Sequence, residues 1–114
     1  MVIERGQIYW CALDPIQGHE QGATRPVIVV SADAYNKTQS PLAAVVPLTK
    51  APAKTPLHLC FSPDDTGLRM ASTVLIDRAR FLDRSRLRGT LIGRLQPAAL
   101  ALLDQQLGRV LGLA

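Results

Sequence analysis

A mainly β fold, in which short strands make a small, strongly bent barrel accompanied by short helices and a C-terminal α-helix, is predicted by three features of this sequence. The first is the stretch Arg25-Pro26-Val27-Ile28-Val29-Val30-Ser31. Its four consecutive aliphatic residues read as a strand buried on both faces, which Ser31 ends. The second is a series of other short apolar or alternating runs, separated by turn-forming residues. The third is a leucine stripe near the C-terminus, Leu100, Leu103, Leu107 and Leu111, whose spacings of three and four residues belong to one face of a helix.

Each element follows from local chemistry. Ile8 to Leu13 forms a first strand. Asp14 to Thr24, with Pro15, Gly18 and Gly22, is a loop long for a hairpin connection, and loops of such length tend to carry function. Val27 to Val30 is the second strand, and Pro26 stands at its start, where a missing N–H costs least. Ser31 and Asp33 are candidate caps for a short helical turn, with Asn36 suited to a left-handed exit. Leu42 to Leu48 is a third buried run, and Lys50 to Pro56 an exposed loop. Leu57-His58-Leu59-Cys60-Phe61 alternates as a fourth strand. After a turn at Thr66-Gly67-Leu68, Thr73 to Ile76 makes a fifth strand that extends toward Phe81. Asp83 caps a one-turn helix through Leu87 that Gly89 ends, and Thr90 to Leu95 is a sixth strand. Pro97 sits at the first turn of the last helix. Gly108 inside that helix costs about 1 kcal/mol of propensity relative to alanine.

The 114 residues are 47% hydrophobic and 19% charged, which suits one globular domain over residues 1–114 and excludes a disordered tail. No apolar run has the length of a membrane span, and Met1-Val2-Ile3-Glu4-Arg5 lacks a signal-peptide pattern, so the expected location is the cytoplasm, away from membranes. The formal charge is +4, and ten of the thirteen basic residues are arginine, eight of them from Arg69 onward. Arginine holds phosphate through two parallel bonds and stacks on bases, so Arg78, Arg80, Arg84, Arg86 and Arg88 form either a solvated face or one that contacts RNA. Cys11 and Cys60 lie within strand patterns and read as reduced, buried core thiols. A zinc site would require Cys11, His19, His58 and Cys60 to converge without CxxC or HxxxH spacing, so no metal and no cofactor is expected.

Arg5-Gly6-Gln7-Ile8-Tyr9-Trp10 opens the chain, followed by Leu13-Asp14-Pro15, Gly18, Glu20-Gln21-Gly22, Arg25-Pro26 and Val46-Pro47-Leu48-Thr49. This order and spacing resembles the MazF/PemK (Kid) family of toxin endoribonucleases from type II toxin–antitoxin systems, over nearly the whole chain. The resemblance implies an SH3-like β-barrel of the MazF, PemK and CcdB type. It implies a sequence-selective, metal-independent endoribonuclease, an mRNA interferase, that cuts single-stranded RNA to 2′,3′-cyclic phosphate and 5′-hydroxyl ends. It also implies a homodimer and a cognate MazE-like antitoxin with an acidic, disordered tail.

Such cleavage asks little of the protein, because the ribose 2′-OH is the nucleophile. The enzyme must align the attack, neutralise charge growing on the phosphoryl oxygens and move two protons. A cation fixed where a rigid strand meets solvent suits the second task, and Arg25 has that place. Thr49 closes the third run with a hydroxyl that both donates and accepts, although strand-end threonines often serve only a nearby backbone group. The resemblance implies that Arg25 and Thr49 are the catalytic pair. Arginine is a poor general base, so Arg25 is first a transition-state stabiliser.

His19, Glu20, Gln21, Arg78 and Arg80 are the candidate substrate-binding residues. Glu20 and Gln21 match the family's acidic, amide-bearing motif and suit either a base edge or the positioning of Arg25. His19 stands where a small serine-like residue is usual, and Arg78 where glutamine often follows the aspartate. The family's sequence preferences therefore do not carry over. His19 is also the one loop side chain with an ordinary pKa near neutrality, about 6.5. It reads as a proton-transfer group, a phosphate contact or a solvated loop residue.

Two other classes remain. A non-catalytic inhibitor of a protein target such as gyrase, the mode of the CcdB toxins, would need neither Arg25 nor Thr49. A plain RNA-binding module commonly displays stacked aromatics on a sheet, whereas this chain has five aromatics, of which Trp10 and Phe61 read as core-bound. The leucine stripe reads as a face packed on the sheet, or else as a partner-binding surface.

Overall fold

A computed structural model of the chain describes residues 2–13 and 24–113. Its strands are β1 (Gln7–Ala12), β2 (Thr24–Val29), β3 (Leu42–Thr49), β4 (Leu59–Phe61), β5 (Ser72–Val74), β6 (Arg80–Asp83) and β7 (Leu87–Arg94). The helices are α1 (Asp33–Asn36), α2 (Pro63–Thr66) and α3 (Pro97–Leu111), with 3₁₀ turns at Ile76–Arg78 and Arg84–Arg86. All the strand pairs are antiparallel, in the order β4-β5-β3-β2-β1-β7, with β6 also on β3.

The apolar run of β2 is buried on both sides because the sheet carries a core on each face. Val27 and Val29 join Tyr9, Cys11, Val45, Leu82 and Leu87 in one cluster. Ile28 joins Ile8, Val46, Leu48, Val74 and Leu103 in the other, which α3 covers. Strand alternation sends neighbours to opposite faces, so a run buried at every position requires two covered faces. Each such aliphatic side chain contributes about 1.5–3 kcal/mol of burial.

Pro47 explains why the edge of β3 is broken. Its carbonyl accepts Leu75 N at 2.9 Å, so its backbone polar groups face the edge occupied by β5 and β6. The missing proline N–H leaves no ladder donor there. Pairing passes from Val45↔Arg80 to Leu48↔Val74, so the partner chain uses twice as many residues as β3 over that interval. The surplus becomes the 3₁₀ turn at Ile76–Arg78. The single strand expected from Thr73 toward Phe81 is therefore two strands with a turn between them.

Other expectations are corrected in detail. Asn36 does not exit left-handed; among the described residues positive φ occurs only at Gly6, Gly67 and Gly112. Its amide instead donates to Ser31 O at 2.9 Å and accepts from Ser31 Oγ at 2.6 Å, satisfying two buried polar side chains at once. Helix α2 was not foreseen, although Ser62 and Asp65 form its capping box and Pro63 opens it. Asp83 does cap the turn after it, accepting Ser85 N at 2.9 Å, but the turn ends at Arg86 and β7 begins at once. Helix α3 opens with Pro97 and ends at Gly112 with φ +74°, where Leu113 N reaches back to Gly108 O at 2.7 Å. Its buried face is Ala99 and Leu103, with Leu100 and Leu107 partly covered; Leu111 lies 64% exposed beyond the sheet.

The Arg5-Gly6-Gln7 opening is scaffold. Arg5 pairs with Asp104 of α3 and donates Nε to Val30 O at 2.9 Å. Gly6 lies at φ +90°, donating to Val29 O and accepting from Leu95 N, both at 2.8 Å. The segment thus ties β2, β7 and α3 together.

Candidate active site

A cleft of about 840 Å³ opens where β2 begins and β3 ends. Among the described residues it is bordered by Trp10 of β1, the Thr24–Pro26 start of β2, the Leu48–Lys50 end of β3, residues 67–70 with Ser72, and Ile92 of β7. Arg25 and Thr49 both line it. The β2–β3 pairing ends at Val27↔Pro47, and Arg25 and Thr49 each lie two residues beyond that last pair, on the same side of it. Local sequence puts each at a strand end; strand pairing puts both ends in one cleft.

Arg25 is partly buried, and among the described residues its guanidinium makes no hydrogen bond. Thr49 Oγ1 accepts Ala51 N at 3.2 Å, so its own proton remains to be donated. Thr73 Oγ1 donates to Ala51 O at 2.8 Å, fixing the same turn from the other side. Lys50 and Arg69 also line the cleft, and no acidic side chain does so among the described residues. The arrangement is a positively charged, largely apolar groove whose lining includes both the Thr49 hydroxyl and the Arg25 guanidinium. It can hold a phosphodiester and offset charge building on its oxygens.

The remaining candidates lie elsewhere. His19, Glu20 and Gln21 fall outside the described residues. Arg78 is exposed in the 3₁₀ turn and Arg80 stands at the start of β6 opposite Val45; neither lines the cleft. Of the other arginines in that stretch, Arg84 donates to Leu42 O and Asn36 O at 2.9 Å, and Arg86 to Leu13 O at 2.9 Å. Those two are half-buried and brace the backbone. Cys11 is buried, and burial pushes its thiol up despite Arg86, Arg80 and Arg88 nearby. Cys60 is exposed, contrary to expectation, on β4, the last strand in the sheet order. Its Sγ lies 3.6 Å from Thr73 Oγ1, while His58 Nε2 lies 2.9 Å from Asp77 Oδ1. The Asp77 carboxyl sits below its ordinary value, chiefly through that hydrogen bond from His58.

Trp10 is the main correction at the site. It is 42% exposed, whereas Tyr9 and Cys11 on either side are buried. Alternation along β1 turns it to the face opposite Tyr9 and Cys11, with Pro26 as its partner on β2. Arg69 and Met70 had no signal in the sequence, since their segment reaches the cleft only through the packing of α2 on β7.

Residues 4–111 match the family model described as PemK-like, MazF-like toxin of type II toxin–antitoxin system. Endoribonuclease EndoA of Bacillus subtilis (strain 168) is 36% identical over 89 residues, 76% of each chain. Endoribonuclease MazF of Staphylococcus epidermidis is 37% identical over 89 residues, 76% of this chain and 73% of that one. Among solved structures, the MazE-MazF (Form-II) crystal structure from Deinococcus radiodurans superposes with a TM-score of 0.81 at 32% identity, covering 100% of this chain and 99% of that one. An endoribonuclease in complex with its cognate antitoxin from mycobacterial species gives a TM-score of 0.78 at 27% identity, covering 98% and 97%. The chain belongs to the PemK-like, MazF-like toxin family of type II toxin–antitoxin systems.

Proposed function

We propose that this chain is the endoribonuclease toxin of a toxin–antitoxin pair, cutting single-stranded RNA by attack of a ribose 2′-OH with Arg25 and Thr49 at the scissile phosphate. The observation that carries this reading is that the two residues, 24 positions apart in sequence, stand at neighbouring ends of adjacent strands and line one cationic cleft. In the reaction the 2′-oxygen bonds to phosphorus and the bond to the 5′-oxygen breaks. The 2′-proton leaves and one proton is gained by the 5′-oxygen, so a 2′,3′-cyclic phosphate and a 5′-hydroxyl result. The nucleophile comes from the substrate, which is why a metal is not required for this step. Arg25 offsets the developing phosphoryl charge, and Thr49 donates its free proton to the same group. Single strands suit the cleft because in-line attack needs a backbone that A-form stacking would hold rigid.

The same reading supplies the partners. A second copy forms a two-fold homodimer, the commonest small assembly. A MazE-like antitoxin with an acidic, disordered tail complements a cleft lined by Arg25, Lys50 and Arg69. The cytoplasm is where RNA and antitoxin would both be met; among the described residues no helix is long and apolar enough to cross a membrane.

The test is incubation of the pure protein with mixed-sequence RNA in EDTA, followed by mapping of the ends. Cyclic phosphate and 5′-hydroxyl ends at a recurring motif are expected. An oligonucleotide with one 2′-deoxy sugar at the cut site should survive. Cleavage that stops in EDTA, or that ignores the deoxy sugar, would overturn the mechanism.

A further inference from the structure

The cleft carries a wall that charge stabilisation at a phosphate does not explain. Trp10 opens onto it between two buried neighbours, and Met70, 54% exposed, lies in the same cleft with Leu68 and Ile92. Scattered exposed apolar side chains are ordinary, but a contiguous apolar wall inside a groove marks a binding surface. Here the wall adjoins Arg25, Lys50 and Arg69. A flat indole beside cations matches a ligand with a planar π face joined to an anion, which is the composition of an unpaired nucleotide. The volume of about 840 Å³ falls within the ~300–1,000 Å³ of sites that take small organic groups, room for a base turned out of a stack.

We infer that Trp10 is the stacking platform for one unpaired base adjoining the scissile phosphate, with Arg25 holding that phosphate. The inference rests on the endoribonuclease reading of the same cleft and adds to it a base-binding subsite on β1. Stacking tolerates every base, because each has a π face, so Trp10 contributes affinity and register more than base choice. An acidic, apolar peptide is the competing occupant of such a groove.

The chain has a single tryptophan, so its fluorescence reports this position alone. The probe is a single-stranded oligonucleotide spanning the mapped cut site, with a 2′-deoxy sugar at that site to prevent cleavage. Saturable quenching is expected on titration. When an abasic residue is stepped through the oligonucleotide, quenching should vanish at one position flanking the cut. Trp10→Ala should weaken binding of the intact probe about 5- to 150-fold, the range for loss of one stacked base. On cleavable RNA it should raise KM while changing kcat at saturation only a few-fold, and Trp10→Phe should recover most of the loss. If Trp10→Ala does not fold, as judged by circular dichroism, the abasic series on the wild-type protein decides. Quenching that is the same for every abasic position, or unchanged affinity in a folded Trp10→Ala, overturns the assignment. Quenching by an acidic peptide but not by RNA would give the wall to a protein partner instead. Wild-type protein that cuts no RNA overturns the endoribonuclease reading and this subsite with it, whereas normal cutting with position-independent quenching overturns the subsite alone.

Discussion

The backbone of Gly93 in β7 passes so close beneath the carbonyl of Thr66 in α2 that a β-carbon at Gly93 would lie 2.4 Å from that oxygen. The approach sets the position of the segment after α2, which contributes Leu68, Arg69 and Met70 to the cleft. Gln96 N donates to Asp65 O at 2.8 Å and holds the same helix from the other side.

Gly93→Ala should therefore cost about 1–3 kcal/mol, the usual penalty for an overpacked site, because the atom in the way is backbone and cannot swing aside. Gly89→Ala on the same strand meets nothing within 4 Å and should be near neutral. Thermal melts of the two variants check the contrast. Equal effects would mean that α2 yields freely and does not fix the cleft wall.

Arg25→Ala and Thr49→Ala should each slow turnover far more than they lower stability, since both stand at strand ends outside the two cores. Loss of one preorganised donor to a developing oxyanion is worth on the order of 3 kcal/mol, a hundredfold or more in rate. Arg25→Lys should recover little, because an ammonium lacks the planar fork. Single-turnover cleavage with melting curves measures both quantities. Near-full activity in Arg25→Ala would remove it from the chemistry.

Leu103 and Leu111 share a helix and a spacing pattern but not an environment. Leu103 is fully buried against the sheet, and Leu103→Ala should cost about 2–5 kcal/mol. Leu111→Ala should stay within about 0.5 kcal/mol, as expected of a surface change. Urea titrations of the isolated protein distinguish them. A large loss at Leu111 would show that it is covered in solution, as by a second copy.

Two surface carboxyls should shape the acid limb of stability. Asp77 is held below its ordinary 3.8 first by the His58 hydrogen bond, and Asp83 first by the backbone amide of Ser85. A carboxyl with a depressed folded-state pKa contributes stability that is complete above its unfolded value and is lost as pH falls through its folded value. Asp77→Asn and Asp83→Asn should thus melt slightly below wild type at neutral pH, with the difference closing as pH falls through the lowered folded-state values. Both groups are exposed, so the effect should be small and weakened by salt. A gap that persists in strong acid would point to packing in place of charge.

Antitoxin binding should weaken as salt rises, since the cleft presents cations to an acidic tail and exposed pairs are screened over about 10 Å at 0.1 M ionic strength. Calorimetry with a tail peptide across a salt series, and light scattering of the toxin alone, provide the measurements. Salt-independent binding would count against charge pairing, and a monomer at micromolar concentration against the homodimer.

The sequence by itself determined the elements whose signal is local. The doubly buried strand around Val27–Val29, Arg25 at its mouth, the Pro97 start of the last helix and the family motif were all legible, because side-chain period, proline geometry and motif spacing reside within a few residues. Only the tertiary structure decided which edges and faces were covered. It turned Trp10 outward into the cleft, left Cys60 exposed on the last strand, and used Arg84 and Arg86 to brace carbonyls. It split the run after Thr73, because Pro47, remote in sequence, offers no donor to the strand beside it. It brought Arg69 and Met70 to Arg25 through the contact of Gly93 with Thr66. Local pattern encodes how a side chain alternates, but pairing between distant segments decides what it meets, and the cleft is made of such meetings.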